Sequence, residues 1–340
     1  MIQSQPSPGE GRRPRARDLG LSPGVFPTGA TNGITDVTGV SVGHVTVIRG
    51  DDIRTGVKAI LPAHDDLFQE KVPGAVFVGN AFGKLAGSTQ VDELGTIETP
   101  IVLTNTLNVG TAMEAVIAYT LAQAGNENVV SVNALVGETN DSALNDIRGM
   151  HVRREDVLVA IENANTGSIT EGSVGAGTGT VCFGWEGGIG TSSRIAPARY
   201  GGYTVGVLVQ TNFGGILTMG GAPVGQRLGK AAYNSADGSC MIVIAADAPL
   251  TARDLKRLAA RAVFGLARTG SSYSHGSGDY AIAFSVAPSA RIRRNSALAH
   301  YEVLQGDQVS PFRNGLGGSR RGRLQFATPG NNRYFALRDR

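Results

Sequence analysis

The run Gly238-Ser239-Cys240-Met241-Ile242-Val243-Ile244-Ala245-Ala246-Asp247 sets a glycine–serine pair at the mouth of a continuous apolar segment. Its β-branched content reads as a strand. The preceding Tyr233-Asn234-Ser235-Ala236-Asp237 reads as the loop that feeds it. Gly238 has no side chain, so its peptide can be twisted and its carbonyl approached. The Ser239 hydroxyl is placed to attack that carbonyl, form an ester by N-to-O shift, and leave a new N-terminus at Ser239 once water opens the ester. A serine hydroxyl is a poor nucleophile without a base. A freed α-amine, with an ordinary pKa of about 7.7–8.0, supplies one at neutral pH, whereas a lysine at about 10.4 does not unless strongly perturbed. The same spacing also suits an ordinary turn into a strand.

Outward from that run, short apolar segments alternate with Gly, Asn and Asp turns. Val40–Ile48, Ala75–Gly79, Ile101–Thr104, Val129–Val132, Tyr203–Gln210 and Tyr280–Val286 read as strands. Helical patterns occupy 111–124, which stops at Gly125, and 154–164. The clearest is 251–268, where Thr251 can cap, Asp254 stands three residues on, and Leu255, Leu258, Ala262 and Leu266 mark one face. Strands and helices together predict a layered fold containing both.

The 340 residues suffice for a large core, and the hydrophobic share of 41% with 17% charged is that of an ordinary globular protein. Residues 1–30, rich in Pro, Gly and Arg, read as an extended N-terminal arm, and residues 31–340 as a single domain. Arg12, Arg13, Arg15 and Arg17 account for much of the net charge of +3 and are expected to be solvated. No basic patch with interleaved aromatics points to nucleic acid. No apolar stretch reaches membrane-spanning length, and the first residues lack a secretory apolar core. Cys182 and Cys240 form no zinc spacing and no disulfide framework, so no structural metal is expected and a reducing, cytoplasmic setting is simplest.

Glu171–Gly190 holds eight glycines, yet neither phosphate-loop pattern is present. We read it as a wall that lets backbone approach a site. No metalloprotease HExxH helix and no GxSxG elbow occur, which removes the usual zinc and α/β-hydrolase routes.

Several long segments resemble the family of L-aminopeptidase/D-amino-acid esterases and β-peptidyl aminopeptidases (the DmpA and BapA type). They are DGSCMIVIAADAPL, RPRARDLGLSPGVFPTG, GNAFGKLAGSTQVDELGTIETPIVLTNTL, VGETNDSALNDIRG, EGSVGAGTGT, GGIGTSSR, VGVLVQTNFGG and SHGSGDYAIAFS, and they span nearly the whole chain from Arg13. The resemblance implies a mixed α/β fold, a four-layer αββα sandwich that looks like the N-terminal-nucleophile hydrolases with different connectivity. It implies self-cleavage between Gly238 and Ser239 into chains 1–238 and 239–340, assembled as a homotetramer of cleaved pairs. Ser239 matches the nucleophile, Ser277 and Asp279 the pair that orients it and its amine, and Asn212 an amide donor facing the oxyanion. Each also fits a plainer role, Ser277 and Asp279 as turn residues and Asn212 as a loop residue satisfying backbone groups.

Glu138 is the candidate carboxylate for a substrate ammonium, against a structural pairing. Relatives carry a bulky aromatic where this chain has Ala143, which implies a roomier pocket if Ala143 lines it. The activity implied is hydrolysis of N-terminal residues from short peptides, amino-acid amides or esters, D- or β-amino-acid forms included, without a cofactor. Other readings are a related amide hydrolase (ω-amide oligomer or pantetheine type), an N-acyltransferase, and a non-enzymatic assembly protein. The proton acceptor stays open between the α-amine and the Ser277/Asp279 pair.

Overall fold

The structure is a computed structural model that describes residues 15–309, apart from 19, 21, 64, 65, 231–237, 295 and 299. Its longer strands are β1 (Ser41–Arg49), β2 (Ile53–Leu61), β3 (Glu70–Ala81), β4 (Ile101–Asn105), β5 (Leu135–Thr139), β6 (Gly188–Ile195), β7 (Thr204–Asn212), β8 (Ser239–Ala246) and β9 (Gly278–Ser285). The helices are α1 (Ser88–Leu94), α2 (Val109–Leu121), α3 (Arg154–Glu162), the single-turn α4 (Val224–Arg227) and α5 (Ala252–Ala267).

Two sheets form. The first runs β1–β2–β4–β5, with the short strand Leu85–Ala86 at its edge. The second runs β6–β7–β8–β9–β3. Within these two rows only β4–β5 and β8–β9 are parallel. Parallel neighbours need a crossover. In the first sheet α2 makes it, and in the second α5 does, so each sheet carries helices on its outer face.

The core clusters divide accordingly. Val57, Ala59 and Val136 pack with Ala112, Ala115, Val157 and Ile161 on the outside of the first sheet. Ile60, Leu103, Leu208, Met241, Val243 and Phe284 fill the space between sheets. Ile242, Ile244, Val209 and Ala281 pack with Leu255, Leu258 and Leu266 of α5 on the outside of the second. The layers are therefore α, β, β, α. Strand β8 lies between two apolar layers, which is why it reads as unbroken apolar sequence rather than as an alternation. Helix α5 starts as its residues predict: the Thr251 hydroxyl accepts from the Asp254 amide at 3.2 Å.

Two readings are corrected. Val129–Val132 is not a strand; Val130 is 97% exposed, and pairing begins only at Leu135. Arg15 is not a solvated side chain. It donates to the carbonyls of Thr31 and Asn32 at 3.0 Å each and pairs with Glu171 at 3.0 Å. Glu171 in turn accepts from the Thr191 amide of β6 at 3.0 Å, so the segment before residue 30 is tied to the sheet.

Candidate active site

Strand register brings the sequence-predicted residues to one end of the second sheet. Asn212, the last residue of β7, is the antiparallel partner of Ser239, the first of β8. Cys240 is the parallel partner of Asp279 at the start of β9. Both connections leave the chain at the same sheet end, so Asn212, Ser239, Ser277 and Asp279 converge there with no help from long loops.

Gly238 is required by packing. A Cβ at this position would lie 2.0 Å from the Asn212 carbonyl oxygen and 2.6 Å from Phe213 Cα, both backbone atoms. Ser239 is buried, and its Oγ accepts from the Gly278 amide at 3.3 Å. Gly278 itself packs on Gly83; a Cβ there would sit 2.6 Å from Gly83 N and Cα. The strand end thus approaches the 82–84 segment closely enough to exclude any side chain between them.

The Ser277 hydroxyl donates to Asp279 Oδ2 at 2.6 Å. Both residues are buried. Asp279 Oδ1 has no hydrogen-bond partner among the described residues. Burial pushes the Asp279 carboxyl up to about 6, with the Ser277 hydrogen bond opposing the rise. A buried carboxylate oxygen without a donor is costly, and Asp279 is the register partner of Cys240, the residue after Ser239.

Asn212 is held at both ends of its side-chain amide. Its Oδ1 accepts from the Val181 amide at 2.9 Å, and its Nδ2 donates to the Asn140 carbonyl at 2.7 Å. An amide nitrogen carries two hydrogens, so one donor remains for a second acceptor. Val181 lies within the glycine-rich run. That run packs between β1, β2 and β6, and a Cβ on Gly179 would meet the Arg54 carbonyl at 2.0 Å.

Glu138, in β5 of the first sheet, is buried and reaches the same region. Its Oε1 accepts from the Lys84 amide at 2.8 Å, and its Oε2 accepts from the Thr106 hydroxyl. A Cβ on Gly83 would lie 2.9 Å from Glu138 Oε1. Gly83 therefore stands between the carboxylate and Gly278. Gln210 ties the sheets behind the site, donating to Thr139 Oγ at 2.7 Å and to the carbonyls of Ala176 and Thr104.

Ala143 lies in the exposed turn after β5, within the 140–145 segment whose Asn140 carbonyl holds Asn212. Its exposure places it at the surface of that turn. Sequence reasoning missed Asp141 in the same turn. Its buried carboxyl accepts from Asn145 at 2.9 Å, leaves Oδ2 without a partner among the described residues, and is pushed up to about 6, chiefly by burial. It also gave no role to Gly83, Lys84 and Thr106, which lie within one of the quoted family segments but meet Glu138 only when that segment folds back on the first sheet.

The two thiols and His44 are weak competitors. Burial lifts the Cys240 thiol well above its ordinary value and the Cys182 thiol to about 12, so neither is a ready thiolate. His44 is lowered to about 4, by burial first and then by Lys58, and sits in β1 of the other sheet. Among the described residues no cluster of His, Cys, Asp and Glu could hold a metal ion.

Peptidase family S58 matches residues 32–315. The chain belongs to peptidase family S58. The family assignment carries an activity class: the chain is a self-processing serine aminopeptidase of the N-terminal-nucleophile type. Similar proteins include the β-peptidyl aminopeptidase BapA of Sphingosinicella microcystinivorans, 43% identical over 81% of this chain and 75% of the relative. The BapA of Sphingosinicella xenopeptidilytica is 40% identical over 80% and 73%. Among solved structures, the PH0078 protein of Pyrococcus horikoshii OT3 superposes with a TM-score of 0.82 at 46% identity, covering 89% of this chain and 88% of that one. The L-aminopeptidase D-Ala-esterase/amidase of Ochrobactrum anthropi, described as a prototype of the serine aminopeptidases and a new variant of the Ntn-hydrolase fold, superposes at 0.80 with 34% identity and the same coverage. This S58 chain has the mixed α/β layered fold that its motifs implied.

Proposed function

We propose that this S58 peptidase cuts its own chain between Gly238 and Ser239 and then uses Ser239 to remove N-terminal residues from short peptides and amino-acid amides or esters. The observation that carries the reading is the Ser239 hydroxyl held at 3.3 Å by the Gly278 amide, with Asp279, one residue further along that strand, keeping a buried carboxylate oxygen that has no partner among the described residues.

In the first reaction Ser239 Oγ attacks the Gly238 carbonyl carbon, the C–N bond breaks to leave an ester, and water cleaves the ester. The products are chains 1–238 and 239–340. The new α-amine takes the place that Asp279 Oδ1 leaves open. In the second reaction Glu138 holds the substrate ammonium by a charge-assisted bond. Ser239 Oγ attacks the carbonyl of the N-terminal residue, its proton passing to the α-amine coupled with Ser277 and Asp279. The free hydrogen of Asn212 Nδ2 donates to the oxyanion. The amine leaves with the proton, and water releases the acid. The named relatives act on β-peptides and on L-amino-acid peptides and D-Ala esters or amides, and we carry both classes over as candidate substrates.

A homotetramer of cleaved pairs in the cytoplasm belongs to the same proposal. The family resemblance supports the assembly, and two buried, reduced thiols suit a reducing compartment. The deciding experiment is the denatured intact mass of the protein beside Ser239→Ala. Two fragments breaking after Gly238 in the parent, one full-length chain in the variant, and release of nitroaniline from amino-acid nitroanilides by the parent alone are expected. A parent that stays full length on prolonged incubation removes the free-amine mechanism.

A further inference from the structure

Phe82 is a large aromatic side chain left 63% exposed, and its ring lies 5.9 Å from that of His275, tilted by 56°. His275 is exposed as well. Scattered exposed apolar residues need no explanation, but a paired aromatic face beside a reactive group does. Phe82 is joined to the nucleophile by backbone. Its amide donates to the Ser277 carbonyl at 3.2 Å, and the next residue, Gly83, packs on Gly278, whose amide holds Ser239 Oγ.

The 82–84 segment also has a direction. It begins at the Ser277 carbonyl, through Phe82 N, and ends at the Glu138 carboxylate, through Lys84 N at 2.8 Å. A substrate with its ammonium on Glu138 and its carbonyl at Ser239 therefore sends its departing portion toward Phe82 and His275. We propose that Phe82 and His275 form the leaving-group subsite of this peptidase, selecting an aromatic or large apolar second residue. The proposal rests on the aminopeptidase reading above. Edge-to-face contact with an aromatic ring, on an apolar platform with a polar imidazole edge, is the chemistry such a pair offers. Neither side chain takes part in bond making, so both act on specificity alone.

The test compares two substrates that share one N-terminal residue: its amide, which releases ammonia, and its dipeptide with phenylalanine. The parent, Phe82→Ala, Phe82→Tyr and His275→Ala are assayed, with intact mass as the check on folding and self-cleavage. We expect full self-cleavage in all four and unchanged kcat/KM on the amide. On the dipeptide, the two alanine variants should lose about tenfold in kcat/KM, with Phe82→Tyr close to the parent. In the parent, acyl transfer to added phenylalanine amide should exceed transfer to glycine amide, and Phe82→Ala should erase that difference. Equal losses on both substrates, or no loss on either, overturn the subsite. A change in oligomeric size of Phe82→Ala by light scattering, together with uniform loss, assigns the pair to a subunit contact and overturns it too. A self-cleaved parent inactive on both substrates removes the aminopeptidase reading, and the subsite with it, and is distinguished from failure of the subsite alone by that inactivity.

Discussion

Asn212 and Ser239 are direct partners across the antiparallel pair β7–β8, so the candidate oxyanion donor and the candidate nucleophile are fixed by a single register. A one-residue slip would turn every side chain of β8 to the other face, and both faces of β8 are packed. The register is therefore held by the core rather than by the site. Asn212→Ala removes one donor and leaves that core intact. We expect kcat to fall by about 10²–10³, on the scale of losing one oxyanion-hole donor, with a smaller change in KM. Steady-state kinetics on an amino-acid nitroanilide reads the split. Because Asn212 also bridges Val181 and Asn140, a thermal melt should show a modest drop, and a loss in KM equal to that in kcat would mark the residue as structural.

Gly238→Ala is expected to block or greatly slow self-cleavage, although Ser239 is untouched. Its added methyl group meets the Asn212 carbonyl at 2.0 Å, and backbone on both sides cannot yield as a flexible side chain could. Either the strand end moves and the carbonyl leaves its line with Ser239 Oγ, or the variant folds less stably. Intact mass after extended incubation gives the extent of cutting, and circular dichroism separates the two causes. Rapid, complete cleavage of a well-folded Gly238→Ala chain would show that this packing does not set the geometry of the bond.

What could be read in the sequence were the elements whose pattern is local. Strand β8 is apolar throughout, and α5 has a cap, an apolar stripe and a clear end. Strands β2 and β6 were not legible. Arg54, Thr55, Gly56 and Lys58 break the apolar pattern of β2, and Gly188-Ile-Gly-Thr-Ser-Ser-Arg reads as a loop. They are strands because their neighbours are: β6 pairs with β7 along its full length, and its Thr191 hydroxyl is spent on the Val207 carbonyl at 2.7 Å. Val129–Val132 had the composition of a strand but no ladder to join. The site divides the same way. The family motif gives Ser277 and Asp279 their roles, whereas Gly83, Thr106 and Asp141 lie in family segments that assign them none and reach the site only where the two sheets meet.

Glu138→Gln should leave self-cleavage complete and weaken turnover of substrates with a free N-terminal ammonium. Glutamine keeps an acceptor for the Lys84 amide and an amide that the Thr106 hydroxyl can accept from, so the fold is preserved. What goes is the charge. A hydrogen bond between charged partners contributes about 1.5–3 kcal/mol, so kcat/KM should fall by about 10–100-fold, carried mainly by KM. Competition by simple amines offers a second readout, since an ammonium analogue should inhibit the parent and lose its effect on the variant. A variant with parental KM assigns Glu138 to the structural pairing with Thr106 and Lys84.

Asp279 makes a prediction about stability in the uncut chain, where no amine is available to it. Its carboxyl titrates at about 6 in the folded protein against an ordinary 3.8, raised by burial. The folded state therefore holds the proton where the unfolded state has released it, and stability falls as pH rises from about 4 to about 6. Below that window Asp279 costs nothing relative to a neutral isostere, and above it the ionised, half-satisfied carboxylate destabilises the fold by about 3 kcal/mol. In a Ser239→Ala background, which keeps the chain intact, adding Asp279→Asn should raise urea-unfolding stability at pH 7 and make no difference at pH 3.5. Asparagine still accepts from Ser277, so the gain isolates the charge. The same substitution in the self-cleaving chain should abolish activity, because the proposed mechanism couples the α-amine of Ser239 to this carboxylate. Stability that is equal in the two uncut proteins at pH 7 would mean that the Asp279 charge is already compensated before the chain is cut, and that its open oxygen is not reserved for the new amine.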